Sequence, residues 1–285
     1  MSMSAGCGKS GIQALRLVMA TVLIGSCLGL LSACASTGTK ATDPDASAKN
    51  RPDLVTASDE APARRRARIR LELASSYFEA GKPTFALDEI KQSLKADPTY
   101  ADAYNVRALI YMRLNDFALA DESFRRALEL DPRDPDALHN RGWLLCQQQR
   151  YAEADALFSK AETQPGYTQQ AKTLMAQGIC DVRAGRKSEA EVALKKSYDI
   201  DPGNPLTGYT LANLLREQDD YKRAQFYIRR VNNGEFSTAE SLWLGMKIDH
   251  KLGDTTAVDQ LGEQLRKRFS GSPQRASYDR GAFNE

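Results

Sequence analysis

A unit of about 34 residues recurs along this chain, and no single unit carries enough apolar surface to fold alone. The clearest copy runs over residues 101–134, ADAYNVRALIYMRLNDFALADESFRRALELDPRD. Its first half sets Tyr104, Ala108 and Tyr111 at helical spacing, and its second half does the same with Phe117, Ala120, Phe124 and Ala127. Asn115-Asp116 between them reads as a turn. Asp131-Pro132 stops the second helix, because proline lacks an amide hydrogen and pushes the preceding residue out of helical geometry. Small residues stand where two amphipathic helices must cross closely.

Aligning the small residue at the start of each second helix gives Ala86, Ala120, Ala154, Ala190, Ala224 and Ala257. The step is about 34 residues, with a short insertion near Pro165 and a one-residue deletion near the end. A second small residue precedes each of these at a constant distance: Ala74, Ala108, Gly142, Gly178, Ala212 and Gly245. A large apolar residue follows each by one helical turn: Ile90, Phe124, Phe158, Leu194, Ile228 and Leu261. Pro98, Pro132 and Pro202, each after an Asp, close helices. Over residues 67–269 this pattern resembles the tetratricopeptide repeat family (W-x2-L-G-x2-Y, then A-x3-F, A and P). The resemblance implies an all-α, right-handed superhelical solenoid of about six repeats.

Residues 1–33 read as a targeting segment. Lys9 and Arg16 supply a basic start, and Leu17–Leu31 is an apolar run too short for a comfortable membrane span. It ends in Leu31-Ser32-Ala33-Cys34, which resembles a bacterial lipobox whose cysteine takes a diacylglycerol. Ile24-Gly25-Ser26-Cys27 is a poorer match, since apolar residues continue past it. An ordinary signal peptide or an N-terminal anchor is the alternative. Sorting rules for such lipoproteins imply outer-membrane delivery on the periplasmic face, because Ala35 rather than Asp follows Cys34. Residues 34–66 read as the lipidated N-terminus and a flexible tether, rich in Ala, Ser, Thr, Asp and Pro without apolar period. About 30 such residues span roughly 30 Å. Arg64, Arg65, Arg66, Arg68 and Arg70 crowd the start of the first helix, against its dipole. They read either as a solvated charge run or as a contact for anionic headgroups or an acidic partner. Residues 270–285 form a C-terminal tail with no readable pattern.

Charge is nearly balanced, 39 Lys and Arg against 37 Asp and Glu, so nucleic-acid binding is not favoured as the main task. The two histidines, His139 and His250, sit on different repeats without partners at metal-ligand spacing. No nucleophile elbow, phosphate loop or paired-carboxylate motif is present. The reading is therefore a non-enzyme with no cofactor, metal or small-molecule substrate. Of the five cysteines, Cys7 and Cys27 lie in the leader and Cys34 is the lipid site. Cys146 and Cys180 fall late in neighbouring first helices, and an oxidising periplasm permits a disulfide between the repeats. Two buried thiols acting as small hydrophobes are the other reading.

Function then belongs to a surface. In tetratricopeptide repeats the first helices line the concave face. That pattern projects Leu71, Ser75 and Phe78, then Asn105, Leu109 and Met112, then His139 and Trp143 with Cys146, as a partner-binding groove. Its continuation is Met175, Ile179 and Arg183, then Tyr209, Asn213 and Arg216, then Leu242, Met246 and His250. Aromatic, Met, Asn and Arg side chains suit peptide or helix recognition, though many apolar members are equally suited to inter-repeat core. Leu71 and Ser75 stand where the carboxylate clamp of chaperone-binding repeats needs Lys and Asn, so a free C-terminal peptide is disfavoured.

The lipobox, the tether and six repeats together resemble the type IV pilus biogenesis and stability lipoproteins, the PilF/PilW pilotin family. The resemblance rests on His139-Asn140-Arg141-Gly142-Trp143-Leu144-Leu145-Cys146-Gln147 and Arg150-Tyr151-Ala152-Glu153-Ala154. It extends to Ser241-Leu242-Trp243-Leu244-Gly245-Met246, Leu261-Gly262-Glu263-Gln264-Leu265-Arg266 and Phe269-Ser270-Gly271-Ser272. It implies a partner, the pilus secretin, whose outer-membrane localisation and multimerisation the protein would promote. A lipoprotein adaptor that docks peptidoglycan synthases or hydrolases shares the same anchor and scaffold and is the alternative.

Overall fold

The computed structural model describes residues 59–283. The leader, Cys34 and most of the tether lie outside the described residues. Thirteen α-helices are present among those described, twelve of them in antiparallel pairs. The first pair is α1 (Pro62–Glu79) with α2 (Pro83–Ala96), the second α3 (Ala101–Arg113) with α4 (Phe117–Leu130). Then come α5 (Pro135–Gln147) with α6 (Tyr151–Glu162), and α7 (Gln170–Arg183) with α8 (Lys187–Ile200). The fifth and sixth pairs are α9 (Pro205–Glu217) with α10 (Tyr221–Asn232), and α11 (Ala239–Lys251) with α12 (Thr255–Arg268). A last short helix, α13 (Pro273–Asp279), follows.

Local chemistry sets these boundaries. Proline opens α1, α2, α5, α9 and α13, where its missing amide hydrogen leaves no bond unmade. Side chains of Asp116, Asp134, Asn204, Asp220 and Asp254 accept from first-turn amides and cap their helices. The Asp before each repeat-closing proline folds its carboxylate onto the amide two residues on: Asp97 to Thr99 at 2.8 Å, Asp131 to Arg133 at 3.1 Å, Asp201 to Gly203 at 3.1 Å. Within each pair the chain turns through one residue in the left-handed region, in order Gly81, Asn115, Gln149, Gly185, Asp219 and Gly253. The next amide reaches back across the turn, as in Arg150 N–H to Leu145 O at 2.9 Å, and closes a Schellman motif.

Each pair is held by the small-to-large crossing. Ala86, Ala120, Ala154, Ala190 and Ala224 are fully buried, as are Ile90, Phe124, Phe158, Leu194 and Ile228. A Cβ added at Gly142 would lie 2.8 Å from the Phe158 ring, and one at Gly178 would lie 2.5 Å from Leu194 Cγ. These glycines serve helix packing. Odd-numbered helices touch the next odd-numbered helix, whereas even-numbered helices touch no other even-numbered one. The stack therefore curves with the odd helices on its inner face.

Cys146 on α5 and Cys180 on α7 are joined in a disulfide, their Cα atoms 5.8 Å apart. Both are buried in one cluster with Ala154 and Phe158.

Two boundaries differ from the sequence reading. The tether does not reach residue 66: α1 begins at Pro62, and its arginines find partners that stabilise the helix start. Arg64 pairs with Asp97 at 2.6 Å and lies over the Tyr100 ring; Arg68 pairs with Glu60 at 3.2 Å and Glu72 at 2.7 Å. Arg70 pairs with Glu89 at 2.8 Å, and Arg65 with Glu60 at 3.9 Å. Most of this run is thus neutralised within the fold. The tail is also structured. In the sixth repeat Ala257 and Leu261 are only partly buried, and α13 packs on α11 and α12 to cover that exposed end, its Tyr278 ring over Gly262. A terminal repeat has no neighbour to cover it, so a capping helix is needed.

Gln149 holds a left-handed conformation, which costs a non-glycine residue about 1 kcal/mol or more. Gln149→Gly is expected to raise stability by roughly 0.5–1 kcal/mol, read from urea denaturation of the full chain. Replacing both Cys146 and Cys180 with Ala is expected to lower stability by about 2–4 kcal/mol. In the same assay a reductant should reproduce that loss in the natural chain and add nothing in the variant.

Candidate functional site

The inner face is built by α1, α3, α5, α7, α9 and α11, each of which offers one stripe only partly covered by its paired helix and the next repeat. Ser75, Phe78, Asn105, Leu109, Met112 and Trp143 are half-buried there, so their free edges meet solvent. Polar links hold their registers. Asn140 Nδ2 donates to Asn105 Oδ1 at 3.1 Å from α5 to α3, and the Arg183 guanidinium of α7 lies 5.0 Å over the Trp143 ring of α5. Farther along, Met175, Ile179, Tyr209, Asn213 and Arg216 continue the face with the same half-burial.

Between α9 and α11 the face deepens into a cavity of about 160 Å³. Tyr209, Asn213, Glu240, Trp243 and Lys247 line it, and Gln274 of α13 closes one side. Burial, with the Arg216 charge adding to it, holds the Lys247 ammonium below the usual lysine range. The tail shapes the end of this face: Phe283 stacks on Trp243 at 5.3 Å and on His250 at 4.3 Å.

Several residues projected onto the groove are elsewhere. Leu71 is 8% exposed and packs with Ala67, Ala74 and Ile90 in the first core cluster. His139 is 5% exposed. Its Nδ1 meets Thr173 Oγ1 at 2.9 Å, the Tyr167 hydroxyl meets the same oxygen at 2.6 Å, and its ring lies 5.9 Å from Phe158. Cys146 is in the disulfide, and Leu242 and Met246 are fully buried. The cause is geometric: a first helix buries one side against its partner and another against the next repeat, so a stripe a few positions wide straddles core and groove. In the sixth repeat the exposed stripe is one residue later than projected, at Trp243 and Lys247. The polar and aromatic character of those two residues, against the purely apolar Leu242 and Met246, is the signal that identifies the true register.

No cluster of potential metal ligands is present among the described residues, and none of their helices is long and apolar enough to cross a membrane.

Burial holds the His139 imidazole down at about 4, with the Lys172 charge adding to the effect. The unfolded chain takes up this proton near 6.5 and the native chain does not, so stability falls as pH drops from about 6.5 toward 4. His139 should account for a loss on the order of 2–3 kcal/mol across that window. His139→Gln is expected to flatten the pH profile of urea denaturation there. An unchanged profile would show that the ring titrates freely.

With this geometry in hand, the chain can be set beside known proteins. A family model described as tetratricopeptide repeat matches residues 71–120 and 106–168. The type IV pilus assembly protein PilF of Pseudomonas aeruginosa is 27% identical over 202 residues, covering 71% of this chain and 80% of that protein. The crystal structure of PilW, described as a widely conserved type IV pilus biogenesis factor, superposes with a TM-score of 0.68 at 32% identity. That match covers 74% of this chain and 97% of PilW. A solved structure of Pseudomonas aeruginosa PilF gives a TM-score of 0.70 at 24% identity, covering 78% of this chain and all of that one, and shows the shared fold.

Proposed function

The chain belongs to the PilF/PilW family of tetratricopeptide-repeat type IV pilus assembly factors, and from that premise we propose that it acts in pilus biogenesis as a lipid-anchored scaffold for the pilus secretin. Membership in a family of assembly factors makes it a binding protein rather than an enzyme. The observation that carries the proposal is the PilW match, which spans nearly all of PilW and about three quarters of this chain.

In this reading Cys34 carries the acyl chains that hold the protein in the inner leaflet of the outer membrane. Each buried methylene contributes about 0.8 kcal/mol, so a multiply acylated cysteine stays put. Residues 35–61 then tether the solenoid and raise its effective concentration for secretin subunits that arrive at the same membrane. The inner face suits the docking step. Phe78, Met112 and Trp143 offer apolar contact, while Asn105, held by Asn140, offers directional hydrogen bonds. A segment laid across successive first helices meets one such set per repeat, which suits an extended or helical stretch of partner.

The test is the amount of secretin multimer in outer-membrane fractions from cells lacking the gene, complemented with the natural chain or with variants. Deletion is expected to remove multimers and complementation to restore them. Cys34→Ala should leave the fold intact and fail to restore them. The double variant Phe78→Ala, Trp143→Ala should reach the membrane and also fail. Normal multimers in the deletion strain would overturn the secretin role, and crosslinking to cell-wall enzymes would then test the adaptor reading.

A further inference from the structure

A second concave site lies away from the inner face, at the edge where the α8–α9 and α10–α11 connections come together. It is a cavity of about 190 Å³. Tyr198, Pro202, Pro205, Val231 and Phe236 supply apolar walls, and Arg230 stands among them. Three observations show that it is not simply a packing gap.

The first is Phe236, a phenyl ring left 64% exposed. The α6–α7 connection follows the same turn pattern, and its fourth residue is Gly166 where Phe236 stands in α10–α11. That loop folds its own aromatic inward, with Tyr167 half-buried against Thr173. Phe236 gains no comparable burial, so the ring contributes little to holding the loop. The second is Arg230. Of the arginines of α10, Arg223 pairs with Glu191 and Asp220, and Arg229 pairs with Asp249 and Asp254. Arg230 is exposed and has no carboxylate within ion-pair distance among the described residues. The third is Tyr198, whose ring lies in the wall and is only 7% exposed, its hydroxyl closed off from solvent and without a hydrogen-bond partner. An apolar cavity with an unpaired cation in its wall is complementary to an apolar group beside a negative acceptor.

We propose that this edge cavity docks an extended segment of a partner protein in which a large apolar side chain neighbours a carboxylate. The side chain enters between Pro202, Pro205 and Phe236, and the carboxylate meets Arg230. The site is independent of the inner face, so a partner held there keeps a second point of attachment free, which strengthens the joint complex without new contacts on the groove.

The test uses the full chain in detergent micelles and blocked tetrapeptides, Gly-Asp-Phe-Gly, Gly-Lys-Phe-Gly and Gly-Asp-Ala-Gly, read by saturation-transfer NMR on the peptide. The Asp-Phe peptide is expected to bind about fivefold more tightly than either of the others. Arg230→Glu should reverse the preference toward the Lys-Phe peptide, and Phe236→Gly should weaken both phenyl peptides. Both residues are exposed, so the thermal transition of each variant should match the natural chain. Trp143→Ala should leave the peptide preference unchanged, which separates this site from the secretin proposal. Equal binding of all three peptides, or an unaltered preference in Arg230→Glu, would overturn the inference. So would a concentration-dependent dimer lost in Phe236→Gly, which would assign the site to a second copy.

Discussion

Every repeat of this solenoid rests on one steric arrangement, a small residue on the first helix receiving a large side chain from the second. Ala74 shares a cluster with Ile90, Ala108 with Phe124, and Ala212 with Ile228. At Gly142 and Gly178 even a methyl group would collide with Phe158 and Leu194. In the first five repeats the close approach buries the large side chain completely, worth roughly 2–3 kcal/mol for a Phe or Leu, and it fixes how closely the two helices of a repeat approach.

Because contacts run only between neighbouring helices, the two ends of the stack and the polar links between repeats matter as much as the core. Inside repeats one and four, at equivalent places, Ser93 donates to Ala67 O at 2.7 Å and Ser197 to Ala171 O at 2.8 Å, tying the two helices of each pair. Carboxylates sit at junctions between repeats. Asp181 and Asp155 meet Arg186, and Asp249 accepts from Gln225 at 2.6 Å and faces Arg229. Burial pushes Asp155, Asp181 and Asp249 above the usual carboxylate range, and their partners offset part of that cost. At the far end α13 closes the sixth repeat, and Phe283 reaches Trp243 on the side the inner face presents. The tail thus both covers the last hydrophobic surface and sets where that face ends.

The two concave regions differ in kind. The inner face is long, half-buried and distributed, with one small group of residues per repeat, and suits a partner segment that spans several repeats. The edge cavity is compact and lies where two connections meet the ends of α8, α9 and α10. A connection tolerates a side chain that packing would exclude from a helix interface, which is why Phe236 can remain exposed there, and Arg230 stands on the solvent side of the last turn of α10.

The repeat, its helix pairs and its crossing positions were legible in the residues alone, because a 3.6-residue period and a recurring small–large pair survive without neighbours to read them. Asp-Pro stops and the Asn115-Asp116 turn belong to the same class, since their effect is local. The inner face was only half legible. Leu71 and His139 carry the same apolar or amphipathic character as Phe78 and Trp143, and which of them meets solvent depends on the rotation of each helix against two neighbours at once. The order of the C-terminal tail was hidden for a related reason: Tyr278 and Phe283 acquire meaning only where Gly262, Trp243 and His250 lie beneath them. The edge cavity brings residue 198 beside residue 236, and no local pattern predicts that juxtaposition. Sequence by itself determined the elements and their pairing, which are short-range consequences of periodicity, proline and glycine. Tertiary structure alone decided which faces remained uncovered, because exposure depends on every surface that packs against a residue, most of them distant in the chain.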